Sequence, residues 1–309
     1  MGVVAITGVN SYFASTVLCG LEANPEVERI VGIDVTPWKM DLRKVTFYQE
    51  DVRSPTIGEL FQGVDTVLHL AFVVGEIHDK KKTHEINVDG SLNVFRACAA
   101  HKVRKIIYTS SIAAYGAHPD NPTSITEDYP LVENRDSYYS SDKVTVEKFL
   151  QGFSREHPEI IITIFRPPIV VGPHLNNFAV DVFTRRITFS LRGRETKVQF
   201  LHESDLGRAL ALAIQRDIPG VFNIAADDFT DRKRLHHMVG AKVIELPPRV
   251  VRSLANLLFF LRLEKMSQGW VSLMEYPIVV SNEKFKAVSG WQPQFSTEGA
   301  FRDFVNAWV

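Results

Sequence analysis

Six short apolar runs rich in β-branched and aromatic residues, at 3–6, 29–33, 45–48, 66–70, 105–108 and 160–165, are separated by mixed polar and apolar stretches long enough to form helices. Unbroken apolarity marks strands buried on both faces, and strands that alternate with helices build a parallel sheet covered on both sides. The expected fold class is therefore α/β, a doubly wound parallel sheet. After Arg166 the alternation loosens, because Pro167, Pro168, Gly172 and Pro173 interrupt the chain within a few residues. A change of domain is expected there, with a smaller C-terminal α/β unit following.

Bulk properties narrow the function. A chain of 309 residues, 45% hydrophobic and 23% charged, buries a full core. With Lys+Arg at 35 against Asp+Glu at 36, no surplus positive charge is available to neutralise a phosphate backbone, so no nucleic-acid partner is expected. Cys19 and Cys98 are too few for a disulfide framework or a zinc site and are expected as reduced, buried thiols. The N-terminus lacks the pattern of a signal peptide. The most apolar later stretch, 254–261 between Arg252 and Arg262, is far shorter than a membrane span. It is expected as a packed helix, with no membrane partner and a cytoplasmic location. The Lys80-Lys81-Lys82 run reads as a solvated helix entry. The histidines are scattered without ligand spacing, so no metal is expected.

Chemistry begins where the first strand ends in Thr7-Gly8-Val9-Asn10-Ser11-Tyr12-Phe13-Ala14. The spacing fits G-x-x-G-x-x-G, the turn that sets a dinucleotide pyrophosphate on a helix N-terminus. Gly8 keeps the tight-turn role and Ala14 can keep the close-packing role. Ser11 stands where the second glycine is expected, so its side chain must point away from the pyrophosphate or donate to it. Asp34, at the tip of the second strand, is placed to accept from the adenosine ribose hydroxyls. A carboxylate there repels the extra phosphate of NADP, and no arginine follows it, which favours NAD. Asp51-Val52 after the third strand is expected near the adenine, and His69-Leu70-Ala71 after the fourth along the cofactor crevice.

Tyr139 and Lys143 lie four residues apart in a segment that opens with the capping residues Asp136 and Ser137, so their side chains share a helix face. Tyr138 has no lysine at that spacing. A phenol needs help to ionise near neutrality, and a neighbouring ammonium supplies it. The preceding strand delivers Ser110 and Ser111 at its C-terminal end, where α/β sites are built. A serine hydroxyl there can hold a substrate oxygen beside the tyrosine.

With these pieces in order, the chain resembles an extended short-chain dehydrogenase/reductase of the NAD-dependent epimerase/dehydratase family, similar to UDP-glucose 4-epimerases. Further matching segments are Asn87-Val-Asp-Gly-Ser-Leu-Asn-Val94, Ser110-Ser-Ile-Ala-Ala-Tyr-Gly116, Arg166-Pro-Pro-Ile-Val-Val-Gly-Pro173, Phe200-Leu-His-Glu-Ser-Asp205, Val221-Phe-Asn-Ile224 and Gly290-Trp-Gln-Pro293. The resemblance implies a Rossmann-type NAD-binding domain at 1–166 and a substrate-binding domain at 167–309, with part of 198–226 returning to the main sheet. It implies Ser111, Tyr139 and Lys143 as the catalytic trio. Cofactor contacts are expected from Gly8, Asn10, Ser11, Tyr12, Phe13, Asp34, Asp51, Val52, Leu70, Ala71, Phe72, Asn87, Thr109, Tyr139, Lys143, Arg166, Pro167 and Ile169.

The implied chemistry is removal of a proton from a substrate hydroxyl by Tyr139 as hydride passes to NAD. An epimerase returns the hydride to the other face of the ketone, and a dehydrogenase releases NADH. The trio is common to both. The substrate half departs from the nucleotide-sugar pattern: Ile169 replaces the expected asparagine, and Lys197 replaces an arginine, keeping the charge without the bidentate fork. Asn176, Asn177, Arg194 and Ser111 are the other expected substrate contacts. The leading expectation is a sugar-nucleotide epimerase. Ile112 and Ala113, where dehydratases carry acids, argue against dehydration. The alternatives are an NAD-dependent dehydrogenase or reductase of an apolar or small hydroxyl substrate, and a non-catalytic NAD-binding protein. The resemblance also implies a homodimer joined through the helices at 87–100 and 139–153.

Overall fold

The computed structural model describes all residues except 1, 39, 76, 77, 195, 196 and 264–266. Six parallel strands form where the apolar runs fall: β1 Gly2–Thr7, β2 Val27–Asp34, β3 Val45–Gln49, β4 Thr66–His69, β5 Lys105–Thr109 and β6 Ile161–Arg166. The first helices between and after them are α1 Tyr12–Ala23, α2 Lys80–His84, α3 Gly90–Ala100 and α4 Tyr138–Glu156.

The chain then runs through β7 Ile169–Val171, α5 Phe178–Phe183, β8 Ile187–Leu191, β9 Lys197–Val198, β10 Phe200–His202, α6 Glu203–Gln215, β11 Gly220–Asn223, β12 Thr230–Asp231, α7 Arg232–Met238, β13 Lys242–Leu246, α8 Pro248–Phe260, α9 Gln268–Leu273, α10 Glu283–Ser289 and α11 Thr297–Trp308. The main sheet has seven strands in the order β11-β6-β5-β4-β1-β2-β3. The order of strand addition reverses between β1 and β4, which pair parallel, and the carboxyl ends of strands flanking such a switch point leave a crevice for a ligand. Smaller parallel pairs join β7 to β10 and β8 to β13, while β9 and β12 pair antiparallel.

Packing shows why the boundary at Arg166 is not a clean cut. β11 adds to the sheet edge beside β6, as the expected return of the chain requires. The apolar face of α6, with Leu206, Ala209, Leu210 and Ala213 fully buried, packs in one core with Val17, Leu18 and Leu21 of α1. The buried Lys105 ammonium donates to the carbonyls of Ala213, Ile214 and Arg216, capping the end of α6 from inside the sheet. The other sheet face is covered by α3 and α4 through Val94, Phe95, Val146, Leu150 and Phe153.

Two expectations fail. Cys98 is buried but Cys19 is exposed, because it falls on the solvent side of α1. The stretch 254–261 is helical to Phe260, yet α8 fully buries only Val251 and Phe259, leaves Leu254, Ala255 and Leu258 half-buried, and exposes Val250, Leu257 and Phe260. No helix among the described residues is long and apolar enough to cross a membrane.

Candidate active site

The end of β1 is built for close approach. Gly8 adopts φ +71°, and a Cβ there would lie 2.7 Å from the Ala71 nitrogen, so only glycine lets β1 turn against the loop after β4. Ser11 caps α1: its hydroxyl oxygen accepts from the Ala14 N–H at 3.2 Å, so the side chain serves its own helix. Tyr12 points inward, donating to Glu203 Oε2 at 2.6 Å, and burial pushes its phenol far up. Phe13 packs half-buried against the α1 core. These two positions therefore offer a dinucleotide their backbone rather than their side chains.

Asp34 sits at the tip of β2, accepting from the Asn10 N–H at 3.1 Å and from the Thr36 N–H and hydroxyl at 2.9 and 2.8 Å. The Asn10 amide in turn holds the Thr36 carbonyl at 2.8 Å. These bonds fix the carboxylate at the mouth of the crevice. Asp51 is taken by Arg53, whose guanidinium at 2.7 Å holds the carboxyl below its ordinary range. Val52 is buried beneath Gly90. His69 does not line the crevice: it is fully buried, bonded to Thr7 and Ser91 at 2.6 and 2.9 Å, and burial lowers its pKa to about 3. Leu70 is buried as well, and Ala71 and Phe72 are half-buried against the core after β4.

Asn87 lies in a π-helical turn, Glu85–Asp89, between α2 and α3. Its amide grips both backbone groups of Val73, at 2.7 and 3.2 Å, and donates to Asp142 at 3.1 Å. Asp142 also holds His84 at 2.6 Å. Asn87 thus fixes the loop that presents Phe72, rather than facing the crevice itself.

The trio converges at the carboxyl end of β5. Ser137 caps α4, and the helix carries Tyr139 and Lys143 on one face. The Ser111 oxygen accepts from the Ala113 N–H at 3.1 Å; its nearness pulls the Tyr139 phenol down, but burial outweighs this and leaves the phenol above its ordinary value. Lys143 does not offset that burial as the spacing suggests: its ammonium donates to the Thr109 carbonyl at 2.8 Å and the Tyr108 hydroxyl at 3.3 Å. It lies 3.5 Å above the Phe72 ring and 5.8 Å from the Tyr139 ring centre. Burial brings Lys143 down to about 7, against the pull of Glu147 and Asp142. Tyr138 faces elsewhere, donating to the Val74 carbonyl at 2.8 Å.

Arg166 is consumed by structure. Its guanidinium pairs with the buried Glu147 at 2.5 Å and donates to Tyr115 at 2.7 Å, while Ser110 donates to the same carboxylate. The Pro167 carbonyl accepts from Ile112 at 3.0 Å, which holds the segment after Ser111. Ile169 is 44% exposed at the start of β7.

The roof of the site was invisible in the sequence. Trp270 of α9 stacks on Tyr139 at 5.5 Å, and Phe178 meets Trp270 at 5.0 Å. Gly269 makes this possible, since a Cβ there would stand 2.6 Å from the Asp136 carbonyl oxygen at the start of α4. Asn177 caps α5 and, with Asn176 before it, brings an exposed polar loop beside Phe178. Lys197 stands apart on β9, its ammonium 5.3 Å above the Phe229 ring. Beyond the roof, Arg194 and Arg252 share the carboxylate of Glu275, Arg194 at 2.8 Å. Among the described residues, the Nε donors of both arginines and the Trp270 indole N–H are buried and find no hydrogen-bond partner.

A family model, the NAD dependent epimerase/dehydratase family, matches residues 4–225. The chain belongs to this family. It is an enzyme of the extended short-chain dehydrogenase/reductase type, and its cofactor is NAD. Among its relatives, the uncharacterized protein Rv0501 of Mycobacterium tuberculosis is 26% identical over 311 residues, 98% of this chain and 83% of that protein. The UDP-glucose 4-epimerase of Thermotoga maritima, solved with UDP-glucose, superposes with a TM-score of 0.77 at 21% identity, covering 99% of this chain and 98% of that one. The Thermus thermophilus UDP-glucose 4-epimerase complex with NAD gives 0.78 at 20% identity, over 99% and 98%. The β1 turn is compatible with the cofactor: Gly8, at positive φ, lets β1 turn tightly against Ala71, and the Asp34 carboxylate is held at the tip of β2 by the Asn10 N–H.

Proposed function

We propose that this enzyme is an epimerase of a nucleotide sugar, of the UDP-glucose 4-epimerase kind, acting by transient oxidation of a sugar hydroxyl. The observation that carries the reading is the meeting of Ser111, at the carboxyl end of β5, with the face of α4 that carries Tyr139 and, one turn along, Lys143, whose ammonium lies 5.8 Å from the Tyr139 ring centre and is tied to the Thr109 carbonyl.

Tyr139 takes the proton from the substrate hydroxyl, and Ser111 holds the same oxygen as it becomes a carbonyl oxygen. Bound NAD supplies the acceptor for the hydride on that carbon. Lys143 in its charged form favours the phenolate, and the Thr109 carbonyl and Tyr108 hydroxyl keep its amine in place. Trp270 limits how far the phenol can swing and keeps water from that face. Gly8, Asn10, Ser11, Asp34 and the backbone of Tyr12 and Phe13 hold the dinucleotide, with Phe72 and Thr109 along its crevice.

The anionic part of the substrate falls to the arginine pair. Among the described residues two guanidiniums share the one carboxylate of Glu275, and their buried Nε donors find no acceptor there. Asn176 and Asn177, at the start of the helix that carries Phe178, add polar groups beside the roof, while Lys197, held at Phe229, makes a smaller contribution. A second reading, a dehydrogenase of an apolar hydroxyl, draws on exposed Ile169 and the Trp270-Phe178 wall. For assembly we propose a homodimer through α3 and α4, where half-buried Leu92 and Phe149, with Arg96 5.4 Å above the latter ring, form the outward strip. Light scattering should give twice the chain mass, and a monomer at micromolar concentration would remove the dimer.

The function is tested by incubating the purified enzyme with a panel of UDP-hexoses and no added NAD, reading products by proton NMR. Epimer formation that is absent in Tyr139→Phe supports it. Ketone formation that requires added NAD supports the second reading.

A further inference from the structure

The fold makes little use of α8. Phe260 is 80% exposed, Leu257 54%, Val250 47%, and the residues just beyond it, Leu261 and Leu263, 52% and 69%. A row of this kind on a globular protein marks a surface that meets something apolar. The charge flanking it is mostly positive: from 247 to 265 the sequence carries Arg249, Arg252, Arg262 and Lys265 against Glu264, and of these Arg252 is paired with Glu275, in a chain whose net charge is only −1. An open groove of about 990 Å³ runs along the helix, lined by Arg249, Asn256, Leu257, Phe259, Phe260 and Arg262 among others.

We propose that α8 seats the enzyme on an anionic lipid bilayer, lying in the interface with Leu257, Phe260, Leu261 and Leu263 in the acyl boundary and Arg249 and Arg262 at the phosphates. Thirteen residues are too few to span, but apolar side chains flanked by arginines are what an interfacial helix needs. A second copy of the chain fits this surface poorly, because a two-fold contact would bring the same arginines face to face. The docking edge lies close to the site roof: His78 meets Phe259 at 4.4 Å, and Gln268, at the groove margin, is two residues from Trp270. Seated this way, the enzyme turns over its substrate at the membrane surface. The inference does not depend on which sugar or alcohol that substrate is.

The test is co-sedimentation of the whole protein with vesicles of equimolar phosphatidylglycerol and phosphatidylcholine, against vesicles of phosphatidylcholine alone. The protein should pellet with the anionic vesicles and bind the neutral ones about tenfold more weakly, and about 500 mM salt should release it. Phe260→Glu with Leu263→Glu should abolish pelleting while leaving NAD content, thermal unfolding and turnover in solution unchanged. Val288→Glu, at an equally exposed site on α10 (51%), should change nothing. If the double variant misfolds, Arg249→Glu with Arg262→Glu takes its place. Failure to pellet, equal binding to neutral vesicles, undiminished binding by the variants, or self-association through α8 that the double variant breaks would each overturn the proposal.

Discussion

The indole of Trp270 lies nearly flat against the ring of Tyr139, 5.5 Å between centres and 25° from parallel, joining the C-terminal part of the chain to the helix that carries the expected acid/base. Stacking on a mobile phenol narrows its orientations, and orientation is a large part of a proton-transfer rate.

Trp270→Ala should therefore lower kcat/KM by about 10- to 100-fold, with NAD still bound. Trp270→Phe, which keeps a stacking face, should recover most of the loss. Steady-state kinetics on both variants decide it, and equal losses in the two would show that the stack has no orienting role.

Lys143 gives the NAD-free protein a pH signature. Its folded pKa is held near 7 by burial, against 10.5 for an ordinary lysine. Between those values the unfolded chain holds a proton that the folded chain has released, so stability rises with pH across this window. Below about pH 7 both states are protonated, and the folded state carries the whole cost of a buried ammonium. Lys143→Met should remove the rise, as thermal unfolding of the two proteins from pH 6.5 to 10 would show.

Glu147 and Arg166 form a buried pair that also holds Ser110 and Tyr115. Removing one charge strands the other, which typically costs about 3–5 kcal/mol. Glu147→Gln should lower the urea midpoint accordingly. It should also weaken turnover, because Ser110 precedes Ser111. A loss under about 1 kcal/mol would place the pair outside the stability core.

Gly8→Ala sets a methyl group against the Ala71 backbone at a positive φ. The loop after β4 must give way, and with it the crevice edge formed by Ala71 and Phe72. The expected result is a protein that folds but purifies with much less NAD, measured by absorbance after denaturation.

The parallel sheet was legible because its strands are buried on both faces and read as unbroken apolar runs, from the first strand to Phe165. Tyr139 over Tyr138 was legible too, since helical spacing alone separates them. Roles that depend on side-chain direction were harder to read. His69, Arg166 and Asn87 occupy positions that suggest a crevice, but each turns inward and finds partners distant in sequence. Trp270, Glu275 and Arg252 left no local signal, because their meeting with Tyr139 and Arg194 is set by how the C-terminal segment packs. The apolarity of 254–261 suggested a core helix, whereas among the described residues only one side of it is covered and Leu257, Phe260 and Leu261 stay exposed.

The most direct test of the account is the fate of a deuterium placed on the reacting carbon of the UDP-hexose. A self-regenerating epimerase returns the same hydride, so the product should be the epimer with its deuterium retained, formed without added NAD and without lasting absorbance at the NADH wavelength. Deuterium found in released reduced cofactor, with ketone accumulating in proportion, would contradict it.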